Sequence, residues 1–124
     1  MSPGLRLLHT AHSLLASGWC QGADARDSEG STVDPWHERA VEWSVLGAIV
    51  ATLEREAHAR GEVPLEELAS ALFALAELIE SDSLEAWNDS AERTHGEVLA
   101  VLEGAQARFE PPWPPEERPE VRLN

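Results

Sequence analysis

Leu5, Leu8, Ala11, His12 and Leu15 recur at helical spacing, and Ser2 followed by Pro3 supplies a cap and a first helical residue for them. Gly18 stops this first helix. Residues 22–33 have no helical period. Asp27-Ser28-Glu29-Gly30 has turn chemistry, with Gly30 free to take a positive φ, so a short hairpin or an ordered loop is expected there. Asp34 before Pro35 reads as the start of a second helix running to about Arg60, with Ala40, Trp43, Val45, Leu46, Ile49, Val50 and Leu53 on a broad apolar face. Pro64 opens a third, whose stripe is Leu65, Leu68, Leu72, Leu75 and Ile79, while Ala69, Ala71 and Ala76 leave room for a close neighbour. Ser81-Asp82-Ser83 ends it. Thr94 and Glu97 have the spacing of a capping box, which predicts a fourth helix from Thr94 that buries Val98, Val101, Leu102, Ala105 and Phe109.

These elements predict an all-α fold: a four-helix, bundle-like single domain over residues 1–109, with the short hairpin or loop between its first two helices. Residues 110–124 differ in kind. Pro111, Pro112, Pro114 and Pro115 forbid a helix and favour polyproline II, so this stretch is expected to form a Pro-rich C-terminal arm. The 124 residues suffice for one domain with a core and are too few for two of ordinary size. No stretch repeats at a fixed period, which excludes a solenoid.

Charge changes the picture more than hydropathy does. Apolar residues make up 43 % of the chain, an ordinary share, but its formal charge is -14 and all nine of its basic residues are scattered arginines. Phosphate binding needs a basic patch, so direct nucleic-acid binding is not expected; a basic protein partner, or solubility alone, fits the acidity. The single Cys20 has no internal disulfide partner, which fits a reducing compartment and makes the cytoplasm the expected location. His9 and His12 interrupt the leucines at the N-terminus before a signal-peptide core accumulates. The apolar run from Val41 to Leu53 contains Glu42 and Ser44 and falls short of the roughly 20 residues that span a bilayer, so it is expected to be a buried helix, with no membrane association.

Candidate chemistry gathers at two junctions. The first is Gly18-Trp19-Cys20-Gln21-Gly22-Ala23-Asp24-Ala25-Arg26-Asp27; the second is Trp87-Asn88-Asp89 followed by Arg93-Thr94. Cys20 would be a nucleophile if a histidine and an acid converged on it, but nothing nearby in the sequence fixes such a partner, and a small buried hydrophobe beside Trp19 is the simpler role. His9 and His12 share a helical face, yet two ligands are not a site and no zinc spacing connects them to Cys20, Asp24, Asp27 or His37. Residues 25–36 fail as a calcium loop, since Ala25 and Trp36 would stand at its first and twelfth positions. No metal or other cofactor is expected.

If the helices pack up and down, Cys20, Gln21, Arg26 and Asp27 of the first junction meet Trp87, Asn88, Asp89 and Arg93 of the second. The result would be a polar corner able to latch the fold or to hold a small ligand. A latch predicts that Trp19 and Cys20 enter the core while Arg26 or Arg93 meets Asp89 or Asp27 across the seam.

In Trp-Cys-Gln-Gly, Ala-Arg-Asp, Gly-Ala, Trp-Asn-Asp and Arg-Thr, taken in that order between Leu14 and Glu103, the chain resembles a family of small proteins of unknown function found mostly in actinobacteria and their phages. The resemblance implies a fold and lends no activity. One departure is Ser44, where members often carry a second cysteine after the tryptophan, and its absence weakens any two-thiol redox or metal scheme.

The expected function is that of a non-enzymatic accessory or protein-interaction module, with the acidic surface or Trp113 of the arm as the contact. Two alternatives stand beside it. One is a small-molecule binder or enzyme that uses the corner around Cys20 and Arg93. The other is an acidic DNA mimic that inhibits a nucleic-acid-binding protein. PPWPP suits a proline-recognition partner or an intramolecular clasp equally well.

Overall fold

The computed structural model describes residues 3–109. Helix α1 (Pro3–Ser17) presents Leu5, Leu7, Leu8, Ala11 and Leu15 to the interior and packs against three other helices: α2 (Val45–Arg60), α3 (Leu65–Ile79) and α5 (His95–Ala107). Buried side chains on nearly every turn explain this placement, because a helix apolar on more than one face must be covered on more than one side. A short helix α4 (Leu84–Asn88) packs on α2, and strands β1 (Ala25–Arg26) and β2 (Glu42–Trp43) pair antiparallel, Ala25 opposite Trp43 and Arg26 opposite Glu42. The described residues are thus mostly helical, with a small two-stranded sheet. The Pro-rich arm and Trp113 lie outside the described residues.

The expected second helix is the largest correction. It begins at Val45, not at Asp34, and Ala40 and Trp43 lie before it. Asp34 closes a turn instead, its carbonyl accepting from His37 N, and Ala40 N donates to His37 O to close the next. The chain then runs extended, because its backbone has partners far away in sequence: Val41 N donates to Arg26 O, Trp43 N to Gly18 O and Ser44 N to Asp24 O. Those pairings outweigh the local cap signal at Asp34-Pro35. The working N-cap is Ser44, whose side chain accepts from Gly47 N at 2.9 Å and so starts α2.

Two glycines permit this crossing of chains. A Cβ on Gly47 would lie 1.8 Å from the Asp24 carbonyl oxygen, and one on Gly18 would lie 2.1 Å from that of Val41. Gly18 ends α1 without a positive φ; what it supplies is close approach. The turn at residues 27–31 forms as expected: Asp27 Oδ1 accepts from the backbone of Glu29 and Ser31, Gly30 has φ 84°, and Arg26 pairs with Thr32 across it.

Among the described residues five helices replace the expected four. Glu80, at φ 51°, ends α3, and Ser83 caps the extra helix α4 by accepting from Ala86 N. Helix α3 is also rotated from expectation. Ala71, Ala74, Leu75 and Ile79 are its buried line, with Leu68 and Leu72 partly covered, whereas Leu65 is 67 % exposed and Ala69 and Ala76 face outward. The capping box at α5 is complete: Thr94 Oγ1 accepts from Glu97 N, and Thr94 N donates back to the Glu97 carboxylate. Val98, Leu102 and Ala105 are buried behind it, while Val101 and Phe109 are partly buried. No helix among the described residues is long and apolar enough to cross a membrane.

Candidate functional site

The two junctions meet, and Asn88 stands at their centre. It is the last residue of α4, 0 % exposed, so its amide must find partners inside the protein. Its Oδ1 accepts from Trp19 Nε1 and from Val45 N, both at 2.9 Å; its Nδ2 donates to Cys20 O at 3.1 Å and to Asp89 Oδ1 at 2.9 Å. These four bonds use the full capacity of a carboxamide. The fixed donor at Val45 N and the fixed acceptor at Cys20 O also set which way the amide faces.

The bonds around Asn88 extend the seam in both directions. Gln21 Nε2 donates to the carbonyls of Asn88 and Ser90 at 2.9 and 2.8 Å, and Gly22 N donates to Asp89 Oδ1 at 3.0 Å. Residues 18–20 run beside Trp43, with Cys20 N donating to Trp43 O. Trp43 Nε1 donates to Pro35 O, which ties the next loop to the same structure. On the far side Trp19 stacks on His95, ring centroids 5.9 Å apart, and His95 Nε2 donates to the Leu15 carbonyl.

The charged residues of the corner serve differently from the expected latch. Arg93 lies over the Trp87 ring, 3.9 Å from its centroid, and donates from Nε to Trp87 O; its ion pair is with Glu97, one turn along α5. Arg26 donates to Gly30 O and Gln21 O within its own junction, and Asp27 accepts from its own turn. Among the described residues no Arg26 or Arg93 ion pair reaches Asp27 or Asp89. The physical reason is the C-terminal end of α4: the carbonyls of Trp87 and Asn88 are left over by so short a helix, and the long donors Gln21 and Arg93 are drawn to them in place of a carboxylate. The seam is coupled, but through amide and backbone hydrogen bonds.

Cys20 lies inside this seam, 8 % exposed, with its Sγ 3.6 Å from Ala23 O. Burial, and then the negative field of Glu42, pushes its thiol up from 9.0 to about 11; Asp89 and Asp24 act in the same direction and Arg26 against it. A nucleophilic thiolate needs the opposite environment. His12 contacts Glu103 at 3.0 Å, and among the described residues no group of three or more His, Cys, Asp or Glu is placed to hold a metal ion.

A cavity of about 460 Å³, not foreseen from the sequence, lies between the loop before β2 and α2. Pro35, Ala40, Trp43 and Ala51 form its apolar floor; His37, Glu38, Glu54, Arg55 and His58 stand around its mouth beside Trp36, which is 54 % exposed. His37 Nδ1 accepts from Arg39 N, a bond that fixes the turn presenting Trp36. The available signal was a tryptophan inside a polar stretch with turn residues. The helix expected from Asp34 concealed it. A second cavity, of about 470 Å³, lies between α3 and the end of α5.

The chain belongs to the family of unknown function DUF6197, whose family model matches residues 2–108. No curated protein and no solved structure matches it.

Proposed function

On the premise of that membership, which assigns no activity, we propose that this protein is a non-enzymatic interaction module whose acidic surface takes a basic segment of a partner protein, with Trp36 as the anchor. The observation that carries this reading is a half-exposed tryptophan at the mouth of a cavity of about 460 Å³ with carboxylates, Glu38 and Glu54, on its rim. A large aromatic beside a pocket is the side chain that contributes most when an interface closes, because it buries much area at little entropic cost. The net charge of -14 favours approach of a positive partner. The corner around Cys20 and Arg93 is the weaker seat for a ligand or a reaction, since its amides are spent on the fold and its thiol is held protonated.

The test is capture from a lysate of the source organism by the wild-type protein and by Trp36→Ala, each at low and at moderate salt. Basic proteins retained by the wild type should be lost with Trp36→Ala and weakened by salt. Equal recovery on both proteins, or recovery indifferent to salt, sinks the proposal.

A further inference from the structure

We propose that the groove between α3 and the end of α5 is the seat of this chain's own segment 111–115, with the indole of Trp113 as its anchor. The groove holds about 470 Å³ and is lined by the small residues Ala69, Ser70 and Ala74, the rings of Phe73 and Phe109, and the Arg108–Glu77 ion pair. A shallow groove of small residues beside two aromatic rings accepts a flat ring in stacked or edge-on contact. Phe73 is 68 % exposed and Leu65 67 %, and with Ala69 they stand four residues apart on one line of α3 that no described residue covers. An uncovered apolar line of this kind is the mark of a contact surface.

The occupant follows from where the chain goes. Phe109 is both a wall of the groove and the last described residue. Its ring is held in place: a Cβ on Gly4 would lie 3.0 Å from two of its carbons and 3.3 Å from Ser70 Cβ. The described chain therefore ends at the rim. Trp113 is four residues further on, within about 14 Å of Phe109 even for a fully extended chain and about 12 Å in polyproline II, so its reach coincides with the groove.

Between residues 110 and 124 Trp113 is the one aromatic side chain, and Pro111, Pro112, Pro114 and Pro115 flank it with apolar rings. Their fixed φ angles leave little backbone entropy to lose on docking. A tethered segment also acts at an effective concentration on the order of millimolar, which a free partner rarely reaches. A second copy of the chain is the poorer occupant, since two molecules of charge -14 repel. This inference is independent of the role of Trp36.

The experiment places a photoreactive side chain in the full-length protein, Trp113→p-benzoylphenylalanine, and maps the products of irradiation by mass spectrometry. The expected product has the mass of a single chain, with its cross-link between position 113 and residues 69–77 of α3. Adding Ala69→Glu, at an outward-facing helical position, should abolish that cross-link while the circular dichroism is unchanged. In the unsubstituted protein, nuclear Overhauser effects should connect the Trp113 indole with the methyl groups of Ala69 and Ala74. Cross-links at twice the chain mass, cross-links to other segments, a product that survives Ala69→Glu, or absence of both cross-link and Overhauser effects would each overturn the proposal.

Discussion

Asn88 does more for this fold than any charged residue of the corner, because a carboxamide is the smallest side chain that can accept twice and donate twice from one plane. Replacing it leaves the Trp19 indole N–H, the Val45 amide and the Cys20 carbonyl without their partner, in a place water reaches poorly. Each orphaned buried group costs about 1 to 3 kcal/mol, so Asn88→Ala should lower the unfolding free energy by roughly 3 kcal/mol or more, read from urea denaturation. A loss below about 1 kcal/mol would mean that solvent already satisfies these groups. The sequence showed Asn88 as one of eight polar-corner residues; nothing local distinguished it from Asp89, since what sets it apart is partners 43 and more positions away.

At the level of elements, α2 is positioned by what its first turn lacks. Gly47 lets the Asp24 carbonyl sit on the start of the helix, where Ser44 N donates to it, and a methyl group there would lie 1.8 Å from that oxygen. Backbone on both sides leaves no flexible side chain to yield. Gly47→Ala should therefore destabilise by about 1 to 3 kcal/mol or more, although alanine is the better helix former. Gly96 in α5 is the control: the nearest atom to an added Cβ there is Thr94 Oγ1 at 4.0 Å. Gly96→Ala should be neutral or stabilising by up to about 1 kcal/mol. Thermal unfolding of the two variants, side by side, checks the opposite signs. The same reasoning explains α3, whose leucine spacing is compatible with several rotations about its axis; packing on α1 and α5 selected the one that buries Ala71 and leaves Leu65 outside.

For the whole molecule the governing quantity is charge. A formal charge of -14 on 124 residues repels itself, and the five arginine–carboxylate ion pairs of the described residues, at the surface, offset little of this. Raising ionic strength from about 0.01 M to about 0.15 M shortens the screening length from about 30 Å to about 8 Å. The thermal midpoint should rise over that range in NaCl. A midpoint that falls would show that the attractive pairs outweigh the repulsion. The same acidity sets the terms of association: a positive partner gains from it, and a second copy does not.

What the sequence determined by itself closes within about one helical turn. The Thr94–Glu97 box, the turn at Asp27–Gly30 and the apolar face of α1 depend on residues three or four apart, whose chain-closure cost is small and whose partners have few competitors. The meeting of the two junctions was also legible, because each carried a tryptophan, amides and charges with no local use. Tertiary structure alone decided the identity of the bonds in that seam, the extended course of residues 40–44 where a helix was expected, and the exposure of Trp36. In each case many partners of similar strength compete across tens of residues. The choice falls to whichever arrangement satisfies the backbone of α4, β1 and α2 together, a condition that no single segment contains.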